Sequence, residues 1–158
     1  MGKKTGRNPT DRGKSGTKRS LLTDGAGVPL AVEVSGANTH DKKLVETTLE
    51  NIPVDRPKPT RRKKQHFCGD KGYDYPDVRE LIRDWGYTAH IKSRGDEKAA
   101  LQKVPGYRAR RWVVERTHSW LNGFRRLLIR WEKKANNYVA FLHLAFTYLT
   151  LRAAELLG

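Results

Sequence analysis

The chain has 158 residues, a length that suits one domain, and 37% of them are hydrophobic, enough for a lean core. Its 32 lysines and arginines against 17 acids give a formal charge of +15. So one-sided a balance works against compaction, which argues against a merely solvated surface and points to a polyanionic partner, nucleic acid.

Residues 1–16, "MGKKTGRNPTDRGKSG", have no periodicity and read as a basic tail or loop. They hold no apolar segment of the kind a secretory signal needs. "KRSLLTDGAGVPLAVEVSG" reads as a β-hairpin around Asp24-Gly25, a strong turn pair. In "THDKKLVETTLENI", Leu44, Val45, Thr48, Leu49 and Ile52 recur at helical spacing, with Thr39 or Asp41 as cap. Residues 53–65 form a Pro-rich linker, with six basic residues and no acid between Arg56 and Lys64. "HFCGD" is a brief strand, "YPDVRELIRDWG" a short helix opened by Pro76 and closed by Gly86, and "YTAHIKS" another strand. "RGDEKAALQKVPGY" is a polar connector, partly helical.

From about Arg108 the pattern is helical, with Val113, Trp120, Leu121, Phe124, Leu127, Leu128 and Trp131 on one stripe. A last helix, from about Asn137 to Leu157, is apolar on most sides. Its segment "YVAFLHLAFTYLTL" is interrupted by His143 and is too short and too polar to span a bilayer. The order β-β-α-β-α-β-α-α is mixed α/β. The lone Cys68 excludes an internal disulfide and fits a reducing compartment, and the histidines show no zinc-site spacing.

Four aspartates fall between His66 and Tyr87. Asp74 and Asp77 suit the start of the helix, and Asp84 suits its exposed face. Asp70 ends an interior strand, where α/β sheets place ligand sites, between Gly69 and Gly72 and beside Lys71. A simple turn aspartate is the other reading of the same residue. On the long helix, Arg108, Arg111, Glu115, Ser119, Asn122 and Arg126 share a face. Glu115 there is either the partner of Arg111 in an i,i+4 pair or a metal-ligand carboxylate. Two carboxylates on separate elements within a basic surface suit Mg²⁺-dependent phosphodiester chemistry, in which the ion takes few protein oxygens and leaves room for phosphate.

The blocks "GRNPTDRGKSGTKRSLLTDGAGVPLAVEVSGANTHD", "GDKGYD" and "RRWVVERTHSWLNGFRRLLIRWEKKANNYVAFLHLA", in this order, resemble the C-terminal part of the catalytic domain of the DDE transposases of bacterial insertion sequences. The resemblance covers nearly the whole chain. It implies an RNase H-like mixed sheet flanked by helices, and a site of three acids holding Mg²⁺ or Mn²⁺. Asp70 would be the second acid and Glu115 the third, with Arg111 completing an Arg-x-x-x-Glu signature. Asn122 and Arg108 stand where some members have a lysine and a tyrosine.

In that family the first aspartate lies on a first strand upstream of the "GRNPTDRG" block, and here only Met1 to Thr5 precede the block. Neither Asp11 nor Asp24 ends a strand, so neither fills the place. The expectation is a partial catalytic domain over residues 1–158, a C-terminal or split portion without the central first strand, leaving unpaired edges and an exposed apolar gap. Its partners would be double-stranded DNA (element ends and target), an upstream chain supplying the strand and its aspartate, and further copies of itself, at the nucleoid in the cytoplasm and with no membrane. Arg61, Arg62, Lys63, Lys64, Lys71, Arg108, Asn122 and Arg126 are the expected DNA contacts. The alternative is a DNA-binding remnant without catalysis.

Overall fold

The computed structural model describes residues 4–91 and 112–156. The architecture is mixed α/β, as the element order indicates. Strands β1 (Gly6–Arg7), β2 (Ser15–Thr23) and β3 (Pro29–Gly36) form one antiparallel sheet, and β4 (Gln65–Gly69) and β5 (Tyr87–Ile91) form a separate parallel pair. The helices are α1 (Val45–Glu50), α2 (Pro76–Asp84), α3 (Trp112–Asn122), α4 (Arg125–Leu128) and α5 (Ala135–Ala153).

The hairpin forms where Asp24-Gly25 places it. Asp24 Oδ1 accepts from the amides of Ala26 and Val28, both at 2.8 Å, and Gly27 takes φ +87°. Side chains of a strand alternate between its faces. Leu21, Val32 and Val34 pack with Leu121, Leu127, Tyr138, Leu142, Ala145 and Phe146 of α3, α4 and α5. Leu22 points the other way, into a second cluster of Val45, Leu49, Phe67, Val78, Ile82 and Ile91. The first sheet is thus covered on both faces by apolar side chains.

Among the described residues no strand joins the two sheets. β2 pairs fully with β3, but on its other side β1 reaches only Ser15 and Gly16, and β4 pairs with β5 alone. These edges have no full partner among the described residues. The space between them is not simply open, because Leu22 packs in the cluster of Phe67 and the Tyr73 hydroxyl bonds to Ser20 of β2.

Several local expectations need correction. Residues 1–16 are not all tail: β1 lies in them, and a turn led by Asn8, whose side chain accepts from the Thr10 amide at 3.1 Å, returns the chain to β2. A strand of two residues has no periodicity to read. The helix after β3 begins as a 3-10 turn, Asp41–Leu44, and its cap is neither Thr39 nor Asp41 but His40, whose ring accepts from the Lys42 amide at 3.3 Å. Thr39 bonds Ser35 instead, and Asp41 pairs with Lys18 at 3.1 Å.

The long helix breaks at Gly123, so the expected stripe is not one face. Leu121 and Leu127 are buried, whereas Trp120, Leu128 and Trp131 are exposed. The last helix spans Ala135–Ala153 and buries one side, through Tyr138, Leu142, Ala145 and Phe146, leaving Leu144 and Tyr148 exposed. The connector "RGDEKAALQKVPGY" lies outside the described residues.

Two leucines on α5 test this packing. Leu142 is 0% exposed and Leu144 is 65% exposed. Leu142→Ala should cost about 2–5 kcal/mol in urea unfolding, and Leu144→Ala less than about 0.5 kcal/mol. Equal losses would mean that α5 does not present the face described.

Candidate functional site

Asp70 follows β4 directly. Its backbone is extended, and its Oδ1 accepts from the Gly72 amide at 2.8 Å, capping the 3-10 turn Lys71–Tyr73. A side chain at Gly72 would meet that oxygen at 2.9 Å. Asp70 and Lys71 are both exposed. The other three aspartates are otherwise engaged or remote: Asp74 pairs with Arg79 at 2.8 Å, Asp77 pairs with Lys42 at 3.1 Å, and Asp84 is exposed at the end of α2. The hydrogen bond from Lys42 holds the Asp77 carboxyl below its ordinary range.

Tyr73 connects this turn to the first sheet. Burial pushes its hydroxyl up to about 12, the carboxylates of Asp41 and Asp70 add to the rise, and the hydrogen bond with Ser20 opposes it. Ser20 in turn accepts from Thr48 of α1 at 2.8 Å. A protonated phenol thus sits within the influence of two carboxylates. Asp41 was expected only as a cap, and its place near Tyr73 had no local signal, because two 3-10 turns far apart in sequence meet here only through the fold.

Glu115 occupies the first turn of α3, where a carboxylate complements the helix dipole. It is exposed, and among the described residues no hydrogen bond or ion pair engages it. Its helix is fastened to the hairpin at two points. Thr117, fully buried, donates to the Gly27 carbonyl at 2.7 Å, and Arg116 bonds the Ala26 carbonyl. Further along, Arg19 Nη2 donates to Asn122 Oδ1 at 3.0 Å.

No hydrogen bond or ion pair joins Asp70 to Glu115. Among the described residues no group of three His, Cys, Asp or Glu side chains could hold a metal ion. The two carboxylates are still hard oxygen donors of the kind Mg²⁺ prefers: one Asp70 oxygen is free of the cap bond, and Glu115 has no competing partner among the described residues.

The expected DNA contacts fall in three places. Arg61, Arg62, Lys63 and Lys64 are exposed on the linker, around a turn closed by the Thr60 amide and the Lys63 carbonyl at 3.1 Å. Arg56 pins this linker by lying 4.1 Å over the Tyr87 ring and bonding the Trp85 carbonyl. The linker enters the amino end of β4, so it stands about 16 Å along the strand from Asp70. Asn122 and Arg126 are partly engaged, the first by Arg19 and the second by Glu132 at 3.1 Å. Because Arg126 follows the break at Gly123, it does not continue the Glu115 face. Arg108 and Arg111 lie outside the described residues.

Sequence reasoning missed Arg116 and Thr117. Arg116 lies between the rings of Trp112 and Trp120, an i, i+4, i+8 series visible in the sequence once the helix is known.

The profile of the transposase DDE domain matches residues 2–150. The chain is 40% identical over 158 aligned residues to the transposase assigned to insertion sequence element IS402 of Burkholderia cepacia, in a match that covers 96% of this chain and 72% of that protein. No solved structure gives a significant match. Proteins of the matched family bind DNA and generally use divalent metal ions. Among the described residues no helix is long and apolar enough to cross a membrane.

His118 offers a pH test of how α3 is seated. Burial, and then the charge of Arg19, hold its imidazole below the ordinary value. The unfolded chain therefore takes up this proton at a higher pH than the folded one. Stability is fully present above the unfolded value and is lost as pH falls below the ordinary histidine value of 6.5. His118→Gln should flatten that loss in urea unfolding followed across the range. An unchanged slope would place His118 in water.

Proposed function

The chain belongs to the transposase DDE domain family, and from that premise we propose that it forms the later part of the catalytic domain of an insertion-sequence DNA transposase. In this reading Asp70 and Glu115 are two of three acids that hold Mg²⁺ or Mn²⁺. The fold is RNase H-like, completed by a strand lying between β2 and β4 that carries the remaining aspartate, on a segment other than those described. The unpaired edges of β2 and β4, already bridged by Leu22 and Tyr73, support that placement.

The observation that carries the reading is a pair of exposed carboxylates on a chain of this family: Asp70 at the carboxyl end of β4, and Glu115 in the first turn of α3. Divalent ions, once bound, polarise a phosphodiester and activate the attacking oxygen. The chain's own residues do the rest. The cap bond from Gly72 fixes the Asp70 carboxylate, Thr117 and Arg116 fix the helix of Glu115, and Lys71 balances charge beside Asp70. Arg111 orients Glu115 or a phosphate. Arg61, Arg62, Lys63 and Lys64 follow the DNA backbone without reading bases. Water attacks a phosphodiester at the element end and frees a 3′-hydroxyl, which then attacks a phosphodiester of target DNA. The work is done at the nucleoid, in the cytoplasm.

A second reading, a DNA-binding protein without catalysis, has one observation in its favour: no metal-sized group of three ligands among the described residues. Activity separates the two. Cleavage of a labelled element-end duplex with Mg²⁺ or Mn²⁺ should be absent for the 158-residue chain alone and appear when a segment carrying the added strand and its aspartate is supplied. Asp70→Asn or Glu115→Gln should then abolish it, while Asp84→Asn leaves it unchanged. Cleavage that survives Asp70→Asn would end the assignment.

Binding gives an independent check. Affinity for duplex DNA should fall steeply with salt, and changing Arg61, Arg62, Lys63 and Lys64 together to alanine should reduce the slope of log affinity against log salt by up to about 3–4. An unchanged slope would move the DNA path away from the linker.

A further inference from the structure

The tryptophans of α3 do not behave as core residues. Trp112 is 49% exposed and Trp120 is 41% exposed, and neither joins an apolar cluster. Between them lies Arg116, its guanidinium carbon 4.5 Å from the centroid of Trp112 and 4.7 Å from that of Trp120. The result is a pillar of indole, guanidinium and indole along one side of the helix.

The pillar is ordered before any ligand arrives. Arg116 bonds the Ala26 carbonyl, and its Nε is buried without a partner. The hairpin turn makes room for it: Gly27 has φ +87°, and a side chain there would come within 2.9 Å of Arg116 Nη2. Each indole has one face towards the cation and about half or less of its surface in water. Two large flat rings held at the surface with a fixed positive charge between them suit a ligand that is itself flat and attached to negative charge.

We propose that Trp112, Arg116 and Trp120 form a stacking platform for unpaired bases of DNA. A base extends the existing stack on the outer side of either indole, and Arg116 adds a positive charge close to its phosphate. Every base has a π-face, so the platform is indifferent to sequence but requires bases freed from the duplex. Glu115 adjoins Arg116 in the chain, so the platform engages DNA that is opened beside that carboxylate. The inference rests on the reading of the chain as a DNA-processing protein. A second copy of the chain is the other candidate occupant; the net charge of +15 favours the polyanion over a like-charged protein surface.

The test measures binding of the full chain to a labelled duplex, to the same duplex with unpaired bases at one end, and to the single strand. Wild type should prefer the unpaired end by about tenfold, the effect of one base–aromatic stack. A 2-aminopurine in the unpaired segment should be quenched on binding. Trp112→Ala and Trp120→Ala should each remove most of the preference and the quenching, while the intact duplex is held as before. Trp112→Phe and Trp120→Phe should keep both, and circular dichroism should show every variant folded. Equal affinity of the wild type for paired and unpaired ends overturns the proposal, as does an equal loss on both probes. A change in sedimentation with the DNA preference intact also overturns it, in favour of a protein contact. Failure to bind any of the probes would instead overturn the DNA-processing reading, and this inference with it.

Discussion

Adjacent leucines on β2 point in opposite directions, and the arrangement of the molecule depends on it. Leu21 enters the cluster shared with α3, α4 and α5, and Leu22 enters the cluster shared with α1, α2, β4 and β5. A strand with apolar side chains on both faces must lie between two layers. The helix that carries Glu115 is therefore held on one side of β2, and the cluster beneath Asp70's strand on the other. A hydroxyl chain from Tyr73 through Ser20 to Thr48 adds polar ties at the same strand. Because these groups are buried, each is more costly to leave unpaired than its bond is strong.

A chain with 32 basic and 17 acidic residues cannot neutralise its cations by ion pairing. It uses aromatic rings as well. Arg56 lies over Tyr87, Arg126 over Phe141 and Arg130 over Tyr138, at 4.1, 5.2 and 5.3 Å. Such contacts contribute roughly 0.5–1 kcal/mol each at exposed sites. They also need no acid. The surface ion pairs that do form, including Lys42 with Asp77 and Arg79 with Asp74, are of the kind that adds little to stability. Excess charge is thus compatible with one fold.

Much of this was legible in the sequence, for definite physical reasons. Asp24-Gly25 announced the hairpin because few residue pairs satisfy so tight a turn, and Pro76 and Gly86 bounded α2 because one lacks a donor and the other accepts positive φ. What escaped depended on distant partners. β1 exists because its backbone fits against Gly16 and Gly36, contacts that no window of neighbouring residues contains. The stripe drawn through Trp120 and Trp131 assumed an unbroken helix, and Gly123 ends it. Trp112 and Trp120 look like core by composition. Their exposure and their placement around Arg116 set them apart from it.

The two readings of Asp70, turn residue and metal ligand, need not compete. Its Oδ1 accepts a single amide hydrogen, from Gly72, at 2.8 Å. An ionised carboxylate has about four lone-pair sites, so one such bond uses a minority of its capacity. That bond also holds the side chain in one orientation, against the entropy of a free surface aspartate. Gly72 allows the close approach, since any side chain there would collide with the carboxylate. A ligand fixed by a second bond in advance loses less freedom when a cation arrives. The cap therefore does for Asp70 what Thr117 and Arg116 do for the helix of Glu115: it gives an exposed carboxylate a fixed position without consuming it.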